Sequence, residues 1–291
     1  MYAVAGVSGQ TGAAVAKALL AAGEKVRVIV RRPDAGDAWR RQGAAVAVAE
    51  LGEAAALATA LRGAAGAYLL NPPAYGTPDP FAVAAAVGAA VATAIDQSGV
   101  ARAVVLSSVG AQVAQGTGII VSNRRIEQAL ARVAAPIVSL RARYFFENWR
   151  HVLGAVKAGG VLPSFLVPTD RRIGMVAVKD IATAVASLLR GAAWQGRRVV
   201  EVSSFDASPD DVANALAAAL GKPVKAVAVP REQWAGILAG NGMSPAAVAA
   251  FVEMYDGINS GVVAPEPERE AFDGGADLPS AARALVAQAD S

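Results

Sequence analysis

The residues best suited to chemistry stand at the start of the chain, where Gly6, Gly9 and Gly12 are spaced by two residues in Tyr2-Ala-Val-Ala-Gly6-Val-Ser8-Gly9-Gln10-Thr11-Gly12. A glycine at position 6 permits a tight turn off a strand. One at position 9 lets the backbone approach a pyrophosphate, and one at position 12 lets a helix pack closely on the sheet. Amide groups at the start of that helix would meet the phosphates. With an apolar run before it and an alanine-rich helical pattern after it, the turn predicts dinucleotide binding through Gly6, Ser8, Gly9, Gln10, Thr11 and Gly12.

The second β-rich run ends in Arg31-Arg32, with no acid beside them. An acidic residue there would accept hydrogen bonds from a ribose 2′-hydroxyl. A guanidinium instead pairs with a 2′-phosphate, so Arg31 and Arg32 predict NADP(H). Asn71-Pro72-Pro73 and Ser107-Ser108 follow the fourth and fifth predicted strands, at the edge where open α/β sheets bind ligands. They are the remaining candidate cofactor contacts.

Proton transfer is harder to place. Four residues after Tyr2, Tyr68, Tyr75, Tyr144 and Tyr255 come Gly6, Pro72, Asp79, Asn148 and Asn259, so no Tyr-x-x-x-Lys pair exists. The candidate catalytic groups are Glu127, Tyr144, Asn148 and His151. A solvated or capping role is the simpler account of Glu127, and a packed or surface role that of His151. The chain has no cysteine and one histidine, which excludes disulfides, thiolate nucleophiles and Cys/His metal sites. No G-x-S-x-G elbow is present for a serine hydrolase.

The elements that must position these groups alternate. Strands are predicted near residues 2–5, 26–30, 45–49, 67–70, 103–106 and 137–140. Helices are predicted over 13–22, 34–42, 53–61, 79–97 and 123–134. This rhythm predicts an α/β fold: a Rossmann-type, doubly wound parallel sheet with a small C-terminal α+β lobe. Residues 1–143 are expected to form the nucleotide-binding domain. Residues 144–291 are expected to form the smaller substrate-side lobe, partly interleaved with it. There, residues 157–168 read as loop, 180–189 as helix, 199–202 as a seventh strand and 224–229 as a further strand. Helices are expected from Ser208, over 231–238 and over 245–255.

Composition agrees with a packed protein of 291 residues, 54% hydrophobic and 18% charged. The net charge of +3 comes with scattered arginine pairs, read mostly as solvated surface, and no basic tract for nucleic acid. No charged leader precedes an apolar segment, and the uncharged stretches are short or polar. The expectation is a cytoplasmic protein with no membrane span.

In order along the chain, the Gly6–Gly12 turn, Val28-Ile29-Val30-Arg31-Arg32-Pro33, Val105-Leu106-Ser107-Ser108-Val109-Gly110, Leu140-Arg141 with Phe146-x-Asn148, Val178-x-Asp180-Ile181-Ala182 and Met254-Tyr255-Asp256-Gly257-Ile258-Asn259 resemble the NmrA-like branch of the atypical short-chain dehydrogenases. The resemblance implies an NAD(P)(H)-binding Rossmann domain in which the glycine turn, the arginine after strand two and the loop after strand four contact the nucleotide. Some members are NADPH-dependent quinone reductases, some reduce metabolites, and some bind NADP as sensors without turnover. The metabolite reductases carry a catalytic lysine before strand six, and Ser122-Asn123-Arg124-Arg125-Ile126-Glu127 has none. The reading is therefore an NADPH-dependent oxidoreductase passing hydride to a small quinone-like or conjugated acceptor. Tyr144, Phe145, Phe146 and Trp149 would form an apolar acceptor site, with core packing an equal account of at least two. The alternative is a redox sensor with a regulatory protein partner, and a homodimer is left open.

Overall fold

Strand β1 (Tyr2–Val4) is three residues long, yet it lies inside the main sheet. Tyr2 and Val4 enter the apolar layer on one face, while Ala3 and the following Ala5 enter the layer on the other. Apolar side chains on both faces are what a strand covered on both sides requires. The computed structural model describes residues 1–288. Through the first half run α1 (Gln10–Ala21), β2 (Val26–Val30), α2 (Asp37–Arg41), β3 (Ala45–Val48), α3 (Ala54–Leu61), β4 (Gly66–Leu69), α4 (Pro80–Ser98), β5 (Ala103–Ser108), α5 (Val121–Leu130) and β6 (Ile137–Ala142). Then follow β7 (Tyr144–Phe145), α6 (Leu153–Gly159), β8 (Val161–Ser164), β9 (Ile173–Val176), α7 (Val178–Arg190), β10 (Arg197–Ser203), β11 (Phe205–Ala207), α8 (Pro209–Leu220), β12 (Lys225–Ala228), α9 (Arg231–Gly240), α10 (Pro245–Ser260), β13 (Glu270–Asp273) and α11 (Leu278–Gln288).

The main sheet has eight strands in the order β13-β10-β6-β5-β4-β1-β2-β3, and every neighbouring pair is parallel. It is the predicted doubly wound α/β arrangement. Helices α1 and α7 pack on one face, and α3, α4 and α5 on the other. The strand order reverses at β1, between β2 and β4, and this switch point opens a crevice at the carboxyl edge. The sheet draws β10, β13 and the covering helix α7 from beyond residue 143.

Helix α4 has 19 residues and is long and apolar enough to cross a membrane. Its Val87, Val91, Ala94 and Ile95 are buried in the layer it shares with α3 and α5. A Cβ at Gly88 would stand 3.2 Å from Ile126 Cα, so α4 and α5 approach closely there. Asp79 caps this helix by accepting from Phe81 N–H and Ala82 N–H at 3.0 and 2.9 Å.

The second lobe departs from expectation. Residues 157–168 contain β8 rather than loop alone, and β8 pairs in parallel with β12. Pro163 is tolerated because β8 has a neighbour on one side only. Tyr144 and Phe145 form β7, which joins β9 and β11 in a three-stranded sheet. Phe146, Trp149, Leu162 and Leu216 form the core of this lobe, closed by Ala282 and Leu285 of α11. The expected helix start at Ser208 is a full capping box: Ser208 Oγ accepts from Asp211 N–H, and Asp211 accepts from Ser208 N–H, both at 3.0 Å.

Candidate functional site

The glycine turn is built from close approaches. Gly6 has φ +70°, the left-handed region that favours glycine. Gly9 N–H donates to Gly6 O at 2.9 Å and closes the turn. A Cβ on Gly12 would lie 2.3 Å from Ala5 O and 2.4 Å from Gly6 C, so α1 meets β1 with no room for a side chain. Gly9 is different, since a Cβ there would touch only Gly6 O, at 3.4 Å. Its outward side is open. Helix α1 begins with no side-chain cap and no acid in its first turn, which leaves its end suited to an anion.

A cleft of about 2040 Å³ runs from this turn along the carboxyl edge of the sheet. Gly6, Ser8, Gly9, Gln10, Thr11, Arg31, Arg32, Asn71, Pro72, Pro73, Ser107, Ser108, Tyr144, Asn148 and His151 all line it. Gly12 lies behind it, in the helix–strand contact. Glu127 also lies behind it: Arg141 donates to its two carboxylate oxygens at 3.0 and 2.7 Å, and Ser107 Oγ donates at 2.5 Å. Arg141 also meets Glu266 at 3.0 Å. Glu127 thus braces β5 against β6.

The residues present fit a dinucleotide. Asn71 Oδ1, at the end of β4, is buried and has no hydrogen-bond partner. Such an atom is costly unless a ligand or water satisfies it. Arg31 is exposed and makes no ion pair among the described residues, whereas Arg32 reaches Asp34 at 3.6 Å. Sheet pairing also brings Glu50, just past β3, to the rim shared with Arg31. That acid is absent from the local sequence around the arginines.

The far end of the cleft is aromatic. Tyr144 is pushed well above the usual phenol range by burial, with Tyr255 against it and Asn148 hydrogen-bonding in opposition. Burial also raises Tyr255 and Tyr75. Phe165 stacks on Trp234 with centroids 5.3 Å apart and meets Tyr255 edge-on at 5.1 Å, and Tyr75 meets Phe251 edge-on at 4.9 Å. Phe145 and Trp149 line this end, but Phe146 turns into the lobe core against Phe205. His151 and Asn148 are exposed at the mouth. Arg143 is engaged by Glu201 at 2.7 Å and Asp206 at 3.2 Å. Val263 and Pro265 cross the cleft on a strap held by Gln112, which donates to Ala264 O at 2.7 Å. Phe165, Phe251 and the strap carry no local motif: Phe165 follows β8, while α10 and the loop after it bring Phe251, Tyr255 and the strap here. Among the described residues no cluster could hold a metal ion.

Solved structures share this architecture. Citrobacter sp. triphenylmethane reductase complexed with NADP(H) superposes with a TM-score of 0.80 at 20% identity, covering 98% of this chain and 99% of that one. The NADPH-dependent quinone oxidoreductase of Escherichia coli complexed with NADPH gives 0.78 at 22% identity, covering 98% and 100%. In sequence, a (4-alkanoyl-5-oxo-2,5-dihydrofuran-3-yl)methyl phosphate reductase of Streptomyces griseus is 29% identical over 227 residues, 77% of this chain and 76% of the relative. The NmrA-like family model matches residues 2–262, and the chain belongs to that family.

Proposed function

We propose that this protein is an NADPH-dependent oxidoreductase acting on a quinone-like or other conjugated acceptor. The observation that carries the reading is one continuous cleft with the glycine turn and the unpaired Arg31 at one end and an aromatic wall at the other. NADPH bound there supplies a hydride to the acceptor. Backbone groups of Gly6 and Gly9 admit the pyrophosphate, and Ser8, Gln10 and Thr11 surround it at the uncapped end of α1. Arg31, flanked by Arg32, pairs with the 2′-phosphate. Asn71 Oδ1 accepts from the ligand, and Pro72 and Pro73 stiffen the loop that presents it. Ser107 and Ser108 border the nicotinamide end. The aromatic wall excludes water and holds a flat conjugated ring in place. An electron-poor quinone needs little else, because solvent can protonate its reduced oxygens. The relatives named as reductases agree with this chemistry.

The test mixes purified protein with NADPH and a panel of quinones and follows loss of the reduced nicotinamide absorbance. Quinone-dependent oxidation of NADPH is expected. Tight NADPH binding with no turnover on any acceptor would overturn the enzyme reading in favour of an NADP(H) sensor.

A further inference from the structure

The cleft has room for more than a nucleotide and a bare ring. Its volume of about 2040 Å³ exceeds the roughly 300–1,000 Å³ of a typical ligand site. Part of its lining is apolar side chain that faces water. Ile237 of α9 is 44% exposed and Tyr75, in the loop after β4, is 37% exposed, and both line the cleft. Single apolar groups on a convex surface are ordinary, whereas such groups gathered in a cleft mark a site for an apolar ligand. Helix α9 joins them to the aromatic wall. Trp234, Ile237 and Leu238 are three and four residues apart and share one helix face. At the first end of that face Trp234 stacks on Phe165 with centroids 5.3 Å apart. Past its last end Ser244 N–H donates to Tyr75 O at 2.8 Å, which fixes the β4 loop against the turn between α9 and α10. From Trp234 to Asn241 the helix rises about 10 Å, and Val229, Met243 and Phe251 add apolar lining beside it. The charged side chains of the cleft are elsewhere or engaged. Arg31, Arg32 and Glu50 stand at the nucleotide end, and Arg143 is held by Glu201 and Asp206.

We infer that the acceptor is a neutral conjugated ring carrying a long aliphatic chain, and that the chain lies along α9 between Phe165 and Tyr75. This rests on the reading of the cleft as an acceptor site. The ring stays at the aromatic wall, and the chain removes Ile237 and Tyr75 from water. A flexible chain suits a narrow apolar path that is continuous with the ring site. Each methylene it buries is worth about fourfold in affinity, before the cost of ordering the chain. The chain contributes binding and position, and the hydride chemistry at the ring is unchanged by it.

Calorimetry on the NADP⁺-loaded protein, where no hydride is available, compares decylubiquinone with its tailless parent quinone. The decyl compound is expected to bind about a hundredfold tighter, since ordering the chain offsets part of its burial. Ile237→Asp puts a charge on the path of the chain and should cut that advantage about tenfold, with NADPH affinity and thermal midpoint unchanged. Val227→Asp, at an exposed residue of β12 outside the cleft, should keep the full advantage. Equal binding of the two quinones, or an advantage that survives both Ile237→Asp and Tyr75→Ser, overturns the inference. A wild-type dimer that Ile237→Asp dissociates in sedimentation would make this face a contact between copies and overturn it as well. Decyl-quinone binding that depends on Ile237, in a protein that oxidises no NADPH with either quinone, would retain the chain site and sink the oxidoreductase reading instead.

Discussion

Among the described residues Arg31, like Arg41 and Arg132, has no ion pair or side-chain hydrogen bond, and of the arginines without one it alone lines the cleft. The pairs at 124–125, 171–172 and 197–198 look alike in sequence, but each includes a structural tie. Arg124 donates to Gln112 O at 2.7 Å, Arg171 to Asn259 O at 2.6 Å, and Arg197 to the Leu130 and Val133 carbonyls at the end of α5. Arg31 lines the same cleft as the glycine turn and has no partner among the described residues, so its charge is available to a ligand. Arg31→Asp should therefore weaken NADPH by roughly 10- to 100-fold, the worth of a hydrogen bond to a charged group. NADH, which lacks the 2′-phosphate, should lose far less. Fluorescence titration of both nucleotides checks this, and equal losses would remove Arg31 from cofactor choice.

Between elements, the decisive contact is that of α1 with β1. Gly12→Val places side-chain atoms against the Ala5 and Gly6 backbone, which cannot yield without moving the helix. Overpacking of this kind costs about 1–3 kcal/mol, to be read as a lower denaturation midpoint, and nucleotide affinity should fall with it. Gly9→Ala should behave differently. Gly9 has φ −102° and a nearly open Cβ position, so stability should hold while NADPH binding drops. If Gly12→Val unfolds at the wild-type midpoint, the packing account of that glycine is wrong. The turn glycines and the helix start at Ser208 were legible in sequence because each rests on contacts within a few residues. Strand β8 was not, because Gly160 and Pro163 look like loop until β12 pairs with them.

At the scale of the molecule, the family match ends at residue 262, but the fold does not. Strand β13 extends the main sheet beside β10, and α11 buries Ala282 and Leu285 in the second-lobe core. Asp180 at the start of α7 accepts from Gly275 N–H and Ala276 N–H at 3.2 and 3.1 Å, which ties this tail to the Rossmann face. A chain ended after Glu266 keeps the strap but loses all of these. Burial of one leucine is worth about 1.5–3 kcal/mol against a net stability of about 5–15 kcal/mol. The truncated chain should lose most of its soluble yield and its cooperative unfolding, and unfolding at the wild-type midpoint would contradict that role.

Sequence by itself determined the parallel α/β order, the phosphate turn and the ends of β2, β4 and β5 where Arg31, Asn71 and Ser107 stand. Strand period, turn chemistry and capping act over short windows, so they leave local marks. Tertiary structure alone decided that Glu127 braces β5 and β6 instead of facing the cleft, since its position depends on Arg141 of β6 and Ser107 of β5. It also decided that Glu50 shares a rim with Arg31 and that Tyr144 and Tyr255 line one cleft. These meetings follow from sheet pairing and the docking of α10 on the second lobe, where the contacting residues are far apart in the chain.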